Sequence, residues 1–363
     1  MIVIGTDTHK ATHTCGAVDA GTGRLAGELT AAAREPGFGE LLAWGRGLDP
    51  DRVWAIEDCR HVSGSLERFL VGSGERVVRV PPKLMGESRR GERSSGKSDP
   101  IDALAIARAA LREGPETLPA AHLDKEALQV KLLLDHREHL VRSRAEDQCR
   151  LRWHLHDLWP DLDLPAGCLD RIIWLDRLSR RLSRAEQGAR VRVARDLVTE
   201  IRRRTRRVAE LEREIGTLVE AQAPELLDLK GCGPLTAAKL IAETAGAGRL
   251  SSDSKFARLA GVAPIPASSG ARVRHRLDRG GNRQLNCALH RIAVTQGRCH
   301  APAREFLARK QAEGKSRLEA LRCLKRHLAR RVWRLLLKSE RERSINTVHT
   351  QRDLPGPQIA AMA

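Results

Sequence analysis

The chain has 363 residues, enough for two or three domains with real cores, and its 64 lysines and arginines outweigh 46 acids to give a formal net charge of +18 and a pI near 10.3. So basic a balance points to a polyanionic partner. Aromatic content of 3% with no tyrosine argues against base-stacking sheets, and eight cysteines without a CxxC pair or Cys/His ligand spacing indicate neither a zinc site nor a disulfide framework. A reducing cytoplasm is the simplest setting, and no signal peptide or bilayer-spanning apolar run is present. Residues 1–120 hold 16 basic and 17 acidic side chains, residues 121–222 hold 21 and 18, and residues 223–363 hold 27 and 11. The C-terminal part therefore carries the electrostatic footprint, which leaves the N-terminal part free to gather acids.

Taken in order, Ile2-Val3-Ile4-Gly5 reads as a short buried strand with Asp7 at its C-terminal end. Thr12 to Ala17 and Arg24 to Thr30 read as two further strands about a turn at 19–23, and 37–48 as a helix. Val53-Trp54-Ala55-Ile56 is another buried strand that ends at Glu57, followed by a helix over 62–71, a strand over 76–80 and a Pro81-Pro82 break. Between Lys83 and Ser98 lies a polar, glycine- and arginine-rich loop, expected to be mobile without a ligand. In Lys97-Ser98-Asp99-Pro100-Ile101-Asp102-Ala103, Asp99 reads as an N-cap and Pro100 as the first helical residue. Asp102 lies one turn on, either as a capping partner or as a metal ligand. Asp7, Glu57, Asp99 and Asp102 come from three elements and could converge on a divalent metal. The element order is that of a ribonuclease-H-like domain.

Residues 123–158 and about 169–221 read as long helices that form an antiparallel pair or coiled coil, with Ile201, Val208, Leu211, Ile215 and Leu218 approximating a seven-residue repeat. The basic run 202–207 is either a solvated face or a contact to a nucleic-acid backbone. Leu226 to Ala238, with Gly231-Cys232-Gly233-Pro234, has the form of a helix-hairpin-helix, whose glycines let backbone N–H groups face a phosphate; an ordinary helix-to-helix turn is the other reading. From Phe256 to Leu285 the pattern is a helix, a proline-punctuated loop holding Ser268-Ser269-Gly270, and a basic segment ending at Gly280-Gly281-Asn282-Arg283. A Ser-Ser-Gly triplet is in most proteins only a turn. Basic amphipathic helices follow to about Lys338, and the polar tail from Arg341 to Ala363 is expected to be flexible.

The ordered set of Gly5-Thr6-Asp7-Thr8-His9-Lys10, Ile56-Glu57, Lys97 to Ala103, Trp159-Pro160, Gly231 to Pro234, Ala260-Gly261-Val262-Ala263-Pro264, Ser269-Gly270 and Arg279 to Arg283 resembles the insertion-sequence-110 family of bacterial DEDD transposases, which are bridge-RNA-guided recombinases. The resemblance covers nearly the whole chain. It implies an α/β plus all-α architecture: a ribonuclease-H-like, Holliday-junction-resolvase-like domain (1–118), a helical coiled-coil region (119–222), a mostly helical C-terminal transposase domain with a helix-hairpin-helix-like motif (223–340) and a flexible tail (341–363). The acids it implies as catalytic and metal-binding are Asp7, Glu57, Asp99 and Asp102, and the nucleophile is Ser269, with Ser268 adjacent. Pro100 departs from the acid motif but suits a helix start, and His9 receives no role.

The same resemblance implies two Mg²⁺ ions, with Mn²⁺ as a substitute, and cleavage of DNA through a phosphoserine link that keeps the energy of the phosphodiester. It implies double-stranded donor and target DNA, a structured guide RNA and a homo-oligomer, at least a dimer and a tetramer when two DNAs are synapsed. A nucleoid-associated place in the bacterial cytoplasm goes with this. The acids and the serine are expected in distant domains. The main rival is a junction-resolvase-like metal-dependent nuclease that uses the same acids and water. A sugar-kinase or actin-type ATPase is disfavoured, because no glycine follows Asp7-Thr8 and no later Asp-x-Gly phosphate loop occurs in a matching fold. A non-enzymatic nucleic-acid-binding protein would be indifferent to loss of Asp7 or Asp102.

Overall fold

A computed structural model describes residues 1–57, 60–81, 84, 98–121, 124–267, 275–276, 278 and 280–352, with the side chains of all of these except 60–61 and 346–352. In chain order the elements are β1 (Ile2–Thr8), β2 (Thr12–Asp19), β3 (Leu25–Ala32), α1 (Glu35–Leu48), β4 (Arg52–Glu57), α2 (Arg60–Gly72), β5 (Val77–Val80) and α3 (Asp99–Glu113). Then come α4 (Lys125–Leu158), α5 (Ile172–Ser183), α6 (Ala189–Gln222), α7 (Pro234–Thr244) and α8 (Asp253–Leu259). The short strands β6 (Ile265–Pro266) and β7 (His275–Arg276) precede α9 (Arg283–Cys299), α10 (Ala301–Ala312) and α11 (Arg317–Arg352). None of the helices is long and apolar enough to cross a membrane, among the described residues.

The chain divides into two compact units, Met1–Asp124 with Ala245–Gly281, and Lys125–Thr244 with the chain from Asn282 onward. In the first, five strands form one sheet in the order β3-β2-β1-β4-β5. β1 pairs antiparallel with β2, and β2 with β3, while β1, β4 and β5 run parallel. This is the expected ribonuclease-H-like fold. All seven residues of β1 are buried, as a central strand covered on both faces requires. Side chains alternate across it. Ile2 and Ile4, with Trp54 and Ile56 of β4, pack among Phe38, Leu41, Leu66 and Leu70 of α1 and α2. Val3, with Val53 and Ala55 of β4, faces the alanine-rich side of α3 through Ala105, Ile106, Ala109 and Ala110.

Residues 245–281 return to this unit. Arg249 Nη1 donates to the carbonyl of Ala120 (3.0 Å), and Lys255 Nζ to that of Glu116 (3.3 Å). Here the chain reads as a loop from sequence, yet β6 and β7 pair antiparallel, Ile265 with Arg276 and Pro266 with His275. Two-residue strands are too short to leave an alternation pattern. The compact units thus cut the chain differently from the linear boundaries at 118 and 222. β6 and β7 belong to the unit that carries the acids; Ser268 and Ser269, expected in a domain distant from those acids, lie outside the described residues.

In the second unit α4 and α6, each 34 residues, run antiparallel. Arg137 bonds Glu212 and Arg144 bonds Thr205, so a step of seven up one helix is matched by seven down the other. Ile201, Val208, Leu211 and Ile215 are buried as the repeat requires, with Val219 rather than Leu218 completing the row. The expected single helix from 169 is interrupted between Ser183 and Ala189, where Gly188 takes the N-cap position of α6. The basic run is largely consumed inside the unit: Arg202 bonds Asp176 (2.7 Å), Arg203 bonds Glu200 (2.8 Å), Arg204 pairs with Asp147, and Arg207 with Glu210 (3.0 Å). The turn expected at 231–234 is there, with Gly231 at φ +85° against Thr295 of α9, Gln296 Nε2 donating to the Lys230 carbonyl (2.9 Å), and α7 starting at Pro234, but a three-residue 3₁₀ helix, Pro224–Leu226, stands before it where the helix-hairpin-helix reading expects an apolar helix end. α11 continues through Arg352, past the expected onset of the tail at 341. Lys338 pairs with Glu342 one turn on and Arg343 reaches Glu126, so charged side chains extend the helix there. Residues 353–363 lie outside the described residues.

Candidate metal centre

The centre is built on the parity of β1. Gly5, Asp7 and His9 follow Val3 on alternate positions, toward the α3 side of the sheet. At Gly5 the helix crosses so closely that a Cβ would lie 2.0 Å from the Ala103 carbonyl oxygen and 2.4 Å from the Ala107 nitrogen. Asp99, Ala103 and Ala107 are spaced by four on α3 and share one face. A glycine on the strand and alanines on the helix therefore let the two backbones meet, which carries the acidic first turn of α3 over the end of β1.

Asp7 is 7% exposed and Asp102 likewise 7%, whereas Asp99 is exposed. Glu57 is half-buried at the end of β4, one residue beyond the Thr6–Ile56 pair in the parallel register, and it continues the Val53, Ala55 parity. The register thus places Asp7 and Glu57 at the same end of neighbouring strands and on the same face. Asp7 Oδ2 accepts a 3.1 Å bond from His9 Nε2, which also lies 3.4 Å from Asp99 Oδ1. One ligand atom from each of Asp7, His9 and Asp99 lies within 4.8 Å of the others. Burial pushes the Asp7 carboxyl above the usual range and the charges of Asp102 and Asp99 add to this, while His9 opposes it. A buried carboxylate strained by two like charges, with nitrogen and oxygen donors around it, is a donor set that suits a divalent cation.

Two details differ from the sequence reading. Ser98, extended at φ −146°, is the N-cap of α3 with no side-chain cap bond, so Asp99 is already the first helical residue and Pro100 the second. The Asp102 amide donates to the Ser98 carbonyl, the first turn of the helix proper (3.0 Å). The capping-box role imagined for Asp99 and Asp102 is therefore not the one the backbone uses. His9 is the residue that sequence reasoning left without a role, although the i, i+2, i+4 spacing of Gly5, Asp7 and His9 was its signal. Ser268 and Ser269, like Lys97 and the loop from 85, lie outside the described residues.

Two family models match the chain: a DEDD transposase model over residues 4–160 and the Transposase IS116/IS110/IS902 family over 223–308. The chain is 26% identical over 380 residues to the 44.8 kDa protein of insertion element IS116 from Streptomyces clavuligerus, covering 92% of this chain and 94% of that one. It is 27% identical to the 42 kDa protein of insertion element IS900 from Mycobacterium paratuberculosis, with the same shares covered. The solved structure of T. thermophilus RuvC in complex with a Holliday junction substrate matches 34% of this chain and 99% of its own, at 17% identity and a TM-score of 0.26. Fold, family models and full-length relatives define a transposase with a DEDD-type ribonuclease-H-like domain. The chain belongs to the IS110 family of insertion-element transposases.

Proposed function

We propose that this transposase cuts and exchanges DNA strands in a Mg²⁺-dependent reaction, Mn²⁺ substituting, with Asp7, Glu57, Asp99 and Asp102 as the metal-holding acids and Ser269 as the nucleophile. The observation that carries the proposal is the convergence of Asp7 with the first turn of α3, made possible by Gly5 against Ala103 and Ala107. Metal bound there would neutralise the charge that builds on a scissile phosphate and lower the pKa of the attacking hydroxyl. Asp7 and Glu57 are held by strand pairing and Asp102 by burial, so their positions are fixed before substrate arrives. In the proposed step the Ser269 oxygen forms a new bond to phosphorus, its proton passing to solvent or a carboxylate. The bond to the 3′ oxygen breaks, and that oxygen takes up a proton to leave as a hydroxyl. The phosphodiester energy stays in the phosphoserine link, so strands can be resealed without ATP.

Donor and target DNA and a structured bridge RNA are the proposed partners of the basic chain, whose residues from 223 onward carry 27 basic against 11 acidic side chains. A dimer that becomes a tetramer on synapsis is the proposed assembly. The test uses the full chain, a supercoiled plasmid carrying an element end, and RNA transcribed from the DNA flanking the gene. With Mg²⁺ a covalent protein–DNA band should survive denaturation, remain in Ser268→Ala, and vanish in Ser269→Ala and with a chelator. If Ser269→Ala still nicks DNA, water is the nucleophile and the resolvase-like reading replaces this one. Cleavage that ignores the RNA would remove the guided part of the proposal.

A further inference from the structure

We propose that His9 is itself a ligand of the divalent cation, so that the centre is a mixed nitrogen and oxygen site rather than a purely carboxylate one. The inference rests on the reading of Asp7 and Asp99 as metal ligands and adds to it a residue outside the four-acid set. His9 is not a loosely attached surface residue. β1 ends at Thr8 and β2 begins at Thr12, and the His9 amide donates to the Thr12 carbonyl (3.0 Å), which closes the three-residue connection and fixes the His9 backbone. Its place two residues beyond Asp7 points the ring to the same side of the sheet. Nε2 then stands 3.1 Å from Asp7 Oδ2 and 3.4 Å from Asp99 Oδ1. Donor atoms that share one six-coordinate ion in neighbouring positions lie about 3 Å apart, so these spacings need only small adjustment to close on a single ion. A single Nε2–H cannot point at two carboxylates at full strength, whereas a lone pair on that nitrogen and two carboxylate oxygens can all point at one cation.

The chemical consequence concerns which metals the site prefers. Carboxylates alone suit Mg²⁺, while an imidazole nitrogen adds affinity along the series from Mn²⁺ to Co²⁺ and Ni²⁺. The site should therefore bind Mn²⁺ and Co²⁺ more tightly relative to Mg²⁺ than four acids would. The competing role for His9 is a charged imidazolium that neutralises the two aspartates and is pushed aside when metal enters.

Calorimetric titration of the full-length protein with Mn²⁺, together with electron spin-echo spectroscopy of the Mn²⁺-loaded protein, separates the two. The wild type should show the nitrogen modulation of a directly bound imidazole. His9→Gln, folded by far-UV circular dichroism, should lose that modulation, bind Mn²⁺ about 10–100-fold more weakly, and show a smaller preference for Co²⁺ over Mg²⁺. Mn²⁺ that binds in an Asp7-dependent way but without nitrogen modulation overturns the His9 assignment and leaves the acid site standing, as does unchanged affinity in His9→Gln. Mn²⁺ binding that Asp7→Asn does not weaken overturns the acid site, and the His9 assignment with it. The spectrum of the wild type decides the matter even if the variant misfolds.

Discussion

At Gly5 the fold leaves no room for a side chain. A single methyl there would meet backbone atoms of α3 at 2.0 and 2.4 Å, and backbone cannot rotate away as a side chain can. Gly5→Ala should therefore lift α3 from the sheet, cost about 1–3 kcal/mol by urea denaturation, and weaken metal binding, because Asp99 and Asp102 move with the helix. Glu75 is the matching device on the other side of the unit. Its side chain is 3% exposed and is held by Arg52 (2.6 and 2.7 Å), Trp54 Nε1 (3.0 Å) and Arg46 (3.1 Å). Burial by itself raises this carboxyl, but the donors outweigh it and hold it below the usual range. A depressed folded-state value means that the stabilisation is complete above the unfolded pKa of about 4.3 and disappears as pH falls through the lower folded value. Glu75→Ala, which takes the carboxylate from the partly buried Arg52 and leaves it the Asp49 carbonyl, should cost about 1–3 kcal/mol at pH 7, and the gap between variant and wild type should close on acidification below about pH 4. A gap that persists unchanged into acid would assign the effect to packing instead.

Among elements, runs of β-branched residues made β1, β4 and β5 legible, because a strand buried on both faces has to be apolar throughout, whereas β2 and the mostly exposed β3 were legible from the turn at 19–23 between them. The acids at strand ends and helix start were legible for the same reason: Asp7 and Glu57 are the first charges after such runs. What local patterns could not show was contact. The proximity of His9 to Asp99 depends on how α3 crosses β1, and the pairing of Arg204 with Asp147 depends on the register of two 34-residue helices. The one-residue displacement of the α3 N-cap to Ser98 is the ordinary uncertainty of a helix end. In α6 the seven-residue repeat held until the last turn, where Val219 is buried and Leu218 is not, since a straight helix drifts from a strict heptad. Leu211, fully buried between α4 and α6 with Leu140 and Val208, fixes this pair. Leu211→Ala should destabilise the second unit by about 2–5 kcal/mol in thermal unfolding, while Arg137→Ala on the half-exposed Glu212 pair should cost under about 1 kcal/mol.

At the scale of the whole molecule, charge is separated along the chain: the near-neutral first 120 residues hold the four candidate acids, and the residues from 223 onward hold 27 basic against 11 acidic side chains, the stretch where the proposed nucleic-acid partners would be drawn. Linear order hid one feature, the return of residues 245–281 to the unit that holds the acids, because nothing in composition marks a segment that leaves one core for another. That return joins β6 and β7 to the same compact unit as Asp7. The most direct measurement of the proposed centre is to load the full-length protein with Fe²⁺, generate hydroxyl radicals with ascorbate and peroxide, and map where its own backbone is cut. Cuts should cluster near residues 7, 57 and 99–102, weaken with excess Mg²⁺, and disappear in Asp7→Asn. Cuts confined to one of these stretches, or scattered and unchanged in Asp7→Asn, would show that the acids do not share a cation.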